Sequence, residues 1–220
     1  MKNKVIAIDK AHLKQIISAE MMIGGISCDL NHINVTGVTD MSWLFSESRF
    51  NGNIDKWDVS VVTNMESMFY RASFNQDISS WSVHNVEDME YMFFASKFNQ
   101  DLSGWDVSSV THMGSMFYGS AFNKDISLWD VSNALDMEHM FYKSKFNQDI
   151  SNWEPRKLIH RENIFNTSQL KYRNKLPYWV TVDMKFLEQA INAYQLQKKI
   201  AKITRISSQQ KQVRSAVKKI

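Results

Sequence analysis

Several residue types and motifs are scarce in this 220-residue chain, and each scarcity excludes a class of protein. A single cysteine, Cys28, excludes an intramolecular disulfide framework and a multi-cysteine zinc site, and we expect it to be a small buried residue. Only 2 prolines and 7 glycines exclude collagen-like and proline-rich low-complexity chains. Phosphate-binding glycine loops, serine-nucleophile motifs and paired ligand histidines are missing, so we expect no enzyme, no cofactor and no metal site.

Long apolar segments are also missing. No run of apolar residues is long enough for a transmembrane helix. The apolar stretch near the N-terminus covers only Val5 to Ile8 before Asp9 and Lys10 interrupt it, which is too short for a secretory signal. The sequence therefore predicts a cytoplasmic protein, with the cell surface reached by a non-classical route as the alternative.

Acidic residues are absent after Glu188. The tail beyond it carries eight basic residues: Lys198, Lys199, Lys202, Arg205, Lys211, Arg214, Lys218 and Lys219. Because the whole chain has 26 Lys and Arg against 23 Asp and Glu, residues 1–188 have a net negative charge. A mildly acidic body therefore precedes a strongly basic segment, which is an expected site for an anionic partner.

Aromatic residues and methionines are abundant, and they recur every 24 residues. The tryptophans of this repeat are Trp57, Trp81, Trp105, Trp129 and Trp153. The first phenylalanine ladder is Phe50, Phe74, Phe98, Phe122 and Phe146, and the second is Phe45, Phe69, Phe93, Phe117 and Phe141. The methionine ladder is Met41, Met65, Met89, Met113 and Met137. A fixed period predicts stacked repeats, in which neighbouring units bury a shared core that one unit cannot bury alone.

Two local elements are expected in each unit. The W-x-V sequence places two apolar side chains on one face of an extended segment, which predicts a short strand near Lys56–Ser60. Met65, Met68 and Phe69 have the i, i+3, i+4 spacing of one helical face, which predicts a short helix or 3₁₀ turn.

The unit F-N-Q-D-I-S-x-W-D-V-S-x-V-x-x-M-x-x-M-F resembles the repeat of BspA-like leucine-rich repeat proteins over roughly residues 26–165. Those proteins are bacterial and often located at the cell surface. The resemblance implies a right-handed solenoid with short parallel strands, a binding role and no catalytic residues. The fold expected is thus an α/β repeat solenoid, with a helical cap at 1–25, about six coils at 26–169, and a C-terminal cap with a basic helical extension at 170–220.

The flanks carry their own signals. Asp9 is a good N-cap for a helix that begins near Lys10, and Gly24-Gly25 can end that helix. The segment 178–182 is strand-like, and Asp183 is a good N-cap for a second helix, which Ser207-Ser208 can interrupt.

Two polar sets are candidate binding residues. The outward position of the expected strand forms an acidic strip that suits a basic segment of a protein partner: Asp58, Ser82, Asp106, Asp130 and Glu154. Asn and Asp also recur in four units, for example Asn75 and Asp77, and they fit either structural turns or Ca²⁺ binding.

Together these patterns predict a non-enzymatic protein that binds a macromolecule, with a protein as the first choice of partner and a role as an intracellular adaptor or inhibitor. A surface adhesin of the family type is one alternative. Nucleic-acid binding through residues 198–219 is another, and that basic segment also fits an acidic protein, an anionic membrane or a solvated helix. The oligomeric state stays open.

Overall fold

The computed structural model describes three ranges of the chain, namely residues 4–165, 177–181 and 186–217, with side chains of the last range described through Ile206. The chain divides into two compact units at 1–180 and 181–220, which are described in turn. The first unit begins with strand β1 (Val5–Ile6), helix α1 (Lys10–Gly24) and strand β2 (Ile33–Asn34). β1 and β2 pair in parallel, so the residues before α1 join the edge of the repeat array.

Helix α1 has a cap at each end. The side chain of Asp9 accepts a hydrogen bond from the N–H of His12 at 2.8 Å, and the N–H of Gly25 donates to the carbonyl of Met21 at 2.9 Å. Gly25 has a positive φ of 75°, which glycine adopts without the strain that a Cβ would add. The predicted helix and both of its ends are therefore confirmed.

Consecutive 24-residue units pair side by side through parallel backbone contacts. Single-residue parallel bridges join Asp40 to Asn64, Asn64 to Asp88, Asp88 to His112, His112 to Asp136, and Asp136 to His160. Beyond each bridge, alternate N–H groups donate to the next unit; those of Met65, Ser67, Phe69 and Arg71 do so at 2.7–2.9 Å. Because neighbouring units stay in register, each repeat position forms a row of side chains along the stack.

Tight turns occupy the segment in which a helical turn was expected. The carbonyl of Met65 accepts from the N–H of Met68 at 3.2 Å, and Ser67 between them has φ 53°. The following turn has Arg71 at φ 52°. A left-handed third residue is typical of a type II turn, so the helix or 3₁₀ turn predicted over Met65–Phe69 is wrong. The apolar spacing also fits these turns, because a β-turn places residues three apart on the same side of the chain.

The strand expected near Lys56–Ser60 is also wrong. The alternation of buried Trp57 and Val59 with exposed Asp58 is present, but the backbone forms local turns. The N–H of Ser60 donates to the carboxylate of Asp58, and that of Val62 donates to the carbonyl of Val59. Since these donors are used locally, the parallel pairing lies instead at the bridge row.

The predicted ladders form the core. Every residue of the tryptophan, phenylalanine and methionine ladders is at most 3% exposed. Successive rings stack, as in the Phe69–Phe93 pair, whose centroids lie 5.6 Å apart with planes 6° from parallel. The indole N–H of each ladder tryptophan donates to a carbonyl of the preceding unit at 2.9–3.1 Å. The indole nitrogen is the only polar atom of a tryptophan side chain, so these hydrogen bonds leave no polar side-chain atom of the ladder tryptophans unpaired in the core.

One more tryptophan, Trp179, extends the tryptophan ladder, although it does not follow Trp153 at the 24-residue spacing. Trp179 is fully buried and its ring stacks on Trp153, with centroids 6.3 Å apart. It lies on the short helix α2 (Tyr178–Thr181), so the prediction that 178–182 is strand-like is wrong for the part that is described. Pro177 precedes α2, and its carbonyl accepts from the N–H of Val180, which suits a residue whose φ is already helical.

The second unit contains helix α3 (Leu187–Val217). It runs without a break through Ser207 and Ser208, so the predicted interruption is wrong. The expected N-cap, Asp183, lies outside the described residues. No helix in the described ranges is long and apolar enough to cross a membrane.

Candidate functional site

The residues of the predicted acidic strip lie in one row, and the fold already uses their side chains. Asp58 accepts hydrogen bonds from both the N–H and the hydroxyl of Ser60, at 3.1 and 2.6 Å. Asp106 does the same with Ser108. These hydrogen bonds, the hydroxyl's first, hold the pKa of Asp58 below its ordinary value.

The other members of the strip are engaged as well. Asp130 accepts from the N–H of Ser132, the hydroxyl of Ser82 is hydrogen-bonded to His84, and Glu154 pairs with Arg156. Asp58, Ser82, Asp106 and Asp130 are exposed, and Glu154 is half-buried. The row is thus accessible, but Asp58, Asp106 and Asp130 have a structural role as turn caps.

The predicted basic segment lies on α3. Lys198, Lys199, Lys202 and Arg205 are exposed, and the ammonium of Lys198 lies 4.9 Å from the ring centroid of Tyr194. The helix range also includes Lys211 and Arg214, while Lys218 and Lys219 lie outside the described residues. Four of its apolar side chains are exposed too: Leu196, Ile200, Ile203 and Ile206.

The recurrent Asn and Asp residues form turns and inter-unit bonds. The side-chain oxygen of Asn75 accepts from the N–H of Asn99 in the next unit at 2.8 Å, and Asp77 accepts from the N–H of Ser79 at 2.8 Å. The turn interpretation is therefore confirmed for the Asp residues, whereas the Asn residues bond neighbouring units. Within the described part of the chain, no group of three potential metal-ligating side chains lies together. Cys28 is buried, as expected.

An aromatic column on the surface was not predicted. Each member directly follows a ladder phenylalanine: Tyr70, Phe94, Tyr118 and Tyr142. Their rings stack at centroid distances of 4.5–4.9 Å, and the ring of Trp43 lies 5.8 Å from Tyr70 at one end. The four stacked rings are half-buried and Trp43 is 44% exposed. The sequence signal was readable as consecutive F-Y, F-F, F-Y and F-Y pairs at one phase of the repeat.

An acidic row lies on one side of the aromatic column. Its members directly follow the ladder methionine or its replacement: Glu66, Glu90, Glu138 and Glu162. In the described residues, Glu66 and Glu90 have no ion-pair partner. Partial burial, and then the charges of Asp136, Asp88 and Glu66, raise the pKa of Glu90.

Gly114 occupies the position of the missing glutamate in this row. A Cβ placed there would lie 3.3 Å from carboxylate oxygens of both Glu90 and Asp136, so these two side chains lean toward the gap. The bridge-row residues have a structural use, because Asp88 and Asp136 cap the N–H groups of Glu90 and Glu138. No such backbone hydrogen bond involves the side chains of Glu66, Glu90 or Glu138 among the described residues.

Intervening residues connect the acidic row with the aromatic column. Tyr91 is hydrogen-bonded to Glu90 and its ring lies 5.9 Å from Phe94. His139 lies 3.2 Å from the carboxylate of Glu138, and its ring centroid is 5.3 Å from that of Tyr142. The two rows therefore belong to one surface.

A basic row lies on the other side of the column: Arg49, Arg71, Lys97, Lys143 and Lys145. All five are exposed. Every unit crosses this surface in the same direction, and its N–H groups are in register with the next unit. The rows therefore follow one another across the surface as their residues do along the chain: first the acidic row, then the aromatic column, then the basic row. Arg71 and Lys143 also lie 5.8 and 5.3 Å from the ring centroids of Tyr70 and Tyr142.

These rows belong to a repeat protein. The family described as a Mycoplasma protein of unknown function, DUF285, matches residues 17–121 and, overlapping them, 95–203. The chain belongs to that family, and the paired matches confirm a repeat-containing family. No curated protein and no solved structure matches the chain. The more specific resemblance to BspA-like leucine-rich repeats stays a prediction.

Proposed function

We propose that this chain is a non-enzymatic binding protein whose stacked units form a leucine-rich-repeat-like solenoid that presents one surface to a protein partner. The in-register parallel bridges and the buried ladders support the stacking. Handedness stays a prediction. The binding surface consists of the aromatic column with the acidic and basic rows beside it.

The half-exposed aromatic column is the observation that carries this proposal. The core is already complete without it, because the ladder phenylalanines next to it are at most 3% exposed. Aromatic side chains are enriched in protein interfaces, where a ring supplies contact area and a tyrosine hydroxyl supplies a hydrogen bond. The predicted acidic strip around Asp106 is the rival surface, but its carboxylates are used to cap turns.

Site-specific photocrosslinking in the native cell tests the proposal. A photoreactive phenylalanine analogue replaces Tyr118 in one variant and Leu128 in a matched control variant. Leu128 is 83% exposed and lies beside the acidic strip, so it reports on the rival surface. We expect a discrete protein adduct from position 118 and none from position 128. Adducts only from position 128 would move the interaction to the acidic strip, and the absence of adducts at both positions would contradict protein binding by the array.

A second candidate function rests on α3. Exposed Lys198, Lys199, Lys202 and Arg205 follow the last acidic residue, Glu188, so this part of the helix has basic residues and no acidic one. Such a helix suits an anionic partner, including the phosphate backbone of a nucleic acid. An adaptor or inhibitor inside the cell and an adhesin at its surface differ in location, which cell fractionation measures.

A further inference from the structure

The proposed binding surface has opposite charge on its two sides. The acidic row lies on one side of the aromatic column and the basic row on the other, where one glutamate, Glu47, lies 3.5 Å from the guanidinium of Arg71. A partner of a single charge sign would complement one row and be repelled by the other. The surface therefore fits a partner that is itself acidic on one side and basic on the other side of an apolar centre.

We propose that this partner is a second copy of the same chain, placed face to face by a two-fold axis parallel to the aromatic column. This inference rests on the proposed function and names the occupant of the same surface. Rotation about that axis exchanges the two sides, so the acidic row of one copy meets the basic row of the other while the two columns pack together. A two-fold axis across the column would instead place acid on acid and base on base.

The distribution of charge along the stack supports this axis. With the axis parallel to the column, each unit faces the same unit of the second copy. Three of the four units that have a glutamate in the acidic row also have a cation in the basic row, whereas the unit of Glu162 has Thr167 and Gln169 at the basic phases. The pairs are Glu66 with Arg71, Glu90 with Lys97, and Glu138 with Lys143 and Lys145.

The one central unit without a glutamate lacks the cation as well. It has Gly114 at the acidic phase, and Gly119 and Ala121 at the two basic phases. The core of this unit is unchanged, since Met113 and Phe117 are fully buried. In the four central units, charge is therefore present or absent on both sides together, as same-unit pairing between two copies requires. The two end units have charge on one side only, with Arg49 opposite Ser42 in the first and Glu162 without a basic-row cation in the last.

In the first unit, a lysine of the same chain already binds on the acidic-row side of the aromatic column. The ammonium of Lys10 lies 2.6 Å from the carboxylate of Asp40 and 2.7 Å from the hydroxyl of Ser42, which occupies the acidic-row phase in the first unit. Glu66 and Glu90, further along, have no such cation among the described residues. A second copy would supply it.

Charge-reversal complementation tests the proposal on the full chain. An acid-reversed variant carries Glu66→Lys, Glu90→Lys and Glu138→Lys, and a base-reversed variant carries Arg71→Glu, Lys97→Glu and Lys143→Glu. Analytical ultracentrifugation measures each variant, the wild type and an equimolar mixture. We expect a wild-type dimer that weakens as salt rises, monomeric single variants, and a dimer in the mixture. A wild-type monomer throughout about 1–100 µM, or a wild-type dimer with no recovery in the mixture, would overturn the proposal.

Two controls keep the result interpretable. Asp58→Lys, Asp106→Lys and Asp130→Lys make the same change in net charge on the acidic strip. If circular dichroism shows the repeats still folded without these turn caps, the dimer should stay intact; a folded monomer there would assign the interface to that strip. If a reversed variant fails to fold, Glu66→Gln with Glu90→Gln and Glu138→Gln should still weaken the dimer about tenfold, and no change would refute the pairing. A wild-type monomer whose position 118 crosslinks to a different protein would refute the second copy and leave the proposed function standing.

Discussion

Removing one central tryptophan should destabilise the whole repeat array. Trp105 is 3% exposed, and its indole N–H donates to the carbonyl of Ile78 in the preceding unit at 3.1 Å. Trp105→Ala removes buried apolar area and leaves a cavity, which costs about 3–5 kcal/mol in the free energy of unfolding. The carbonyl of Ile78 also loses its donor. If it stays unsatisfied, this costs on the order of 1–3 kcal/mol, which is included in that total.

The loss should appear as a lower melting temperature. For a chain of this size each kcal/mol lowers the midpoint by roughly 2–4 °C, so we expect a decrease of about 6–20 °C. Circular dichroism on heating and urea unfolding measure it. Leu128→Ala is the matched control, because Leu128 is 83% exposed in the adjacent unit and its truncation should change stability by no more than about 0.5 kcal/mol. Equal midpoints for the two variants would refute the assignment of the tryptophan ladder to the core.

Two further predictions concern charge. Burial and neighbouring carboxylates raise the pKa of Glu90 in the folded state, so its ionised form opposes folding, and stability falls as pH rises from the unfolded pKa through the folded pKa. In the monomer, at protein concentrations too low for dimerisation, Glu90→Gln should therefore stabilise the fold at pH 7 and have little effect below about pH 4, as urea unfolding at both pH values would measure; a destabilised monomeric variant at pH 7 would contradict this. Deleting residues 205–220 should leave the ladders folded, because the last stacked ring described is Trp179, and should weaken salt-dependent binding to duplex DNA, measured by a mobility shift. Loss of folded repeats on deletion would instead make this segment structural.

The buried core could be predicted from the sequence, because a side chain that stacks on its equivalent must recur at the period of the stack. Trp57, Phe69 and Met65 are all buried as their ladders require. The backbone between them could not be predicted in the same way. Its left-handed positions are occupied by Ser67 and Arg71, and without glycine such positions carry no sequence signature.

The candidate site was missed for a related reason. Alternation predicts that the polar residues beside each tryptophan face outward, and Asp58 is indeed exposed. Their use as turn caps depends on a serine two residues later, which becomes evident only from the hydrogen bonds. The spacing of Met65, Met68 and Phe69 predicts a buried face and says nothing about the tyrosines that follow the ladder phenylalanines. In the actual turns, Tyr118 stacks on Tyr142 in the next unit.

Comparison of the repeated units distinguishes residues that stability requires from residues that stability does not explain. Stability requires the methionine and phenylalanine ladders, and these keep their residues in the unit of Gly114. It also requires the turn caps, and Asp106 and Asp130, before and after Gly114 along the chain, both cap the serine two residues later. Neither requirement accounts for a glutamate and a cation that are both absent from one unit and both present in its neighbours. Their shared absence is expected if the rows of the four central units meet across an interface, because a central charge on one side alone would then lack its partner; the one-sided charges, Arg49 and Glu162, lie in the end units.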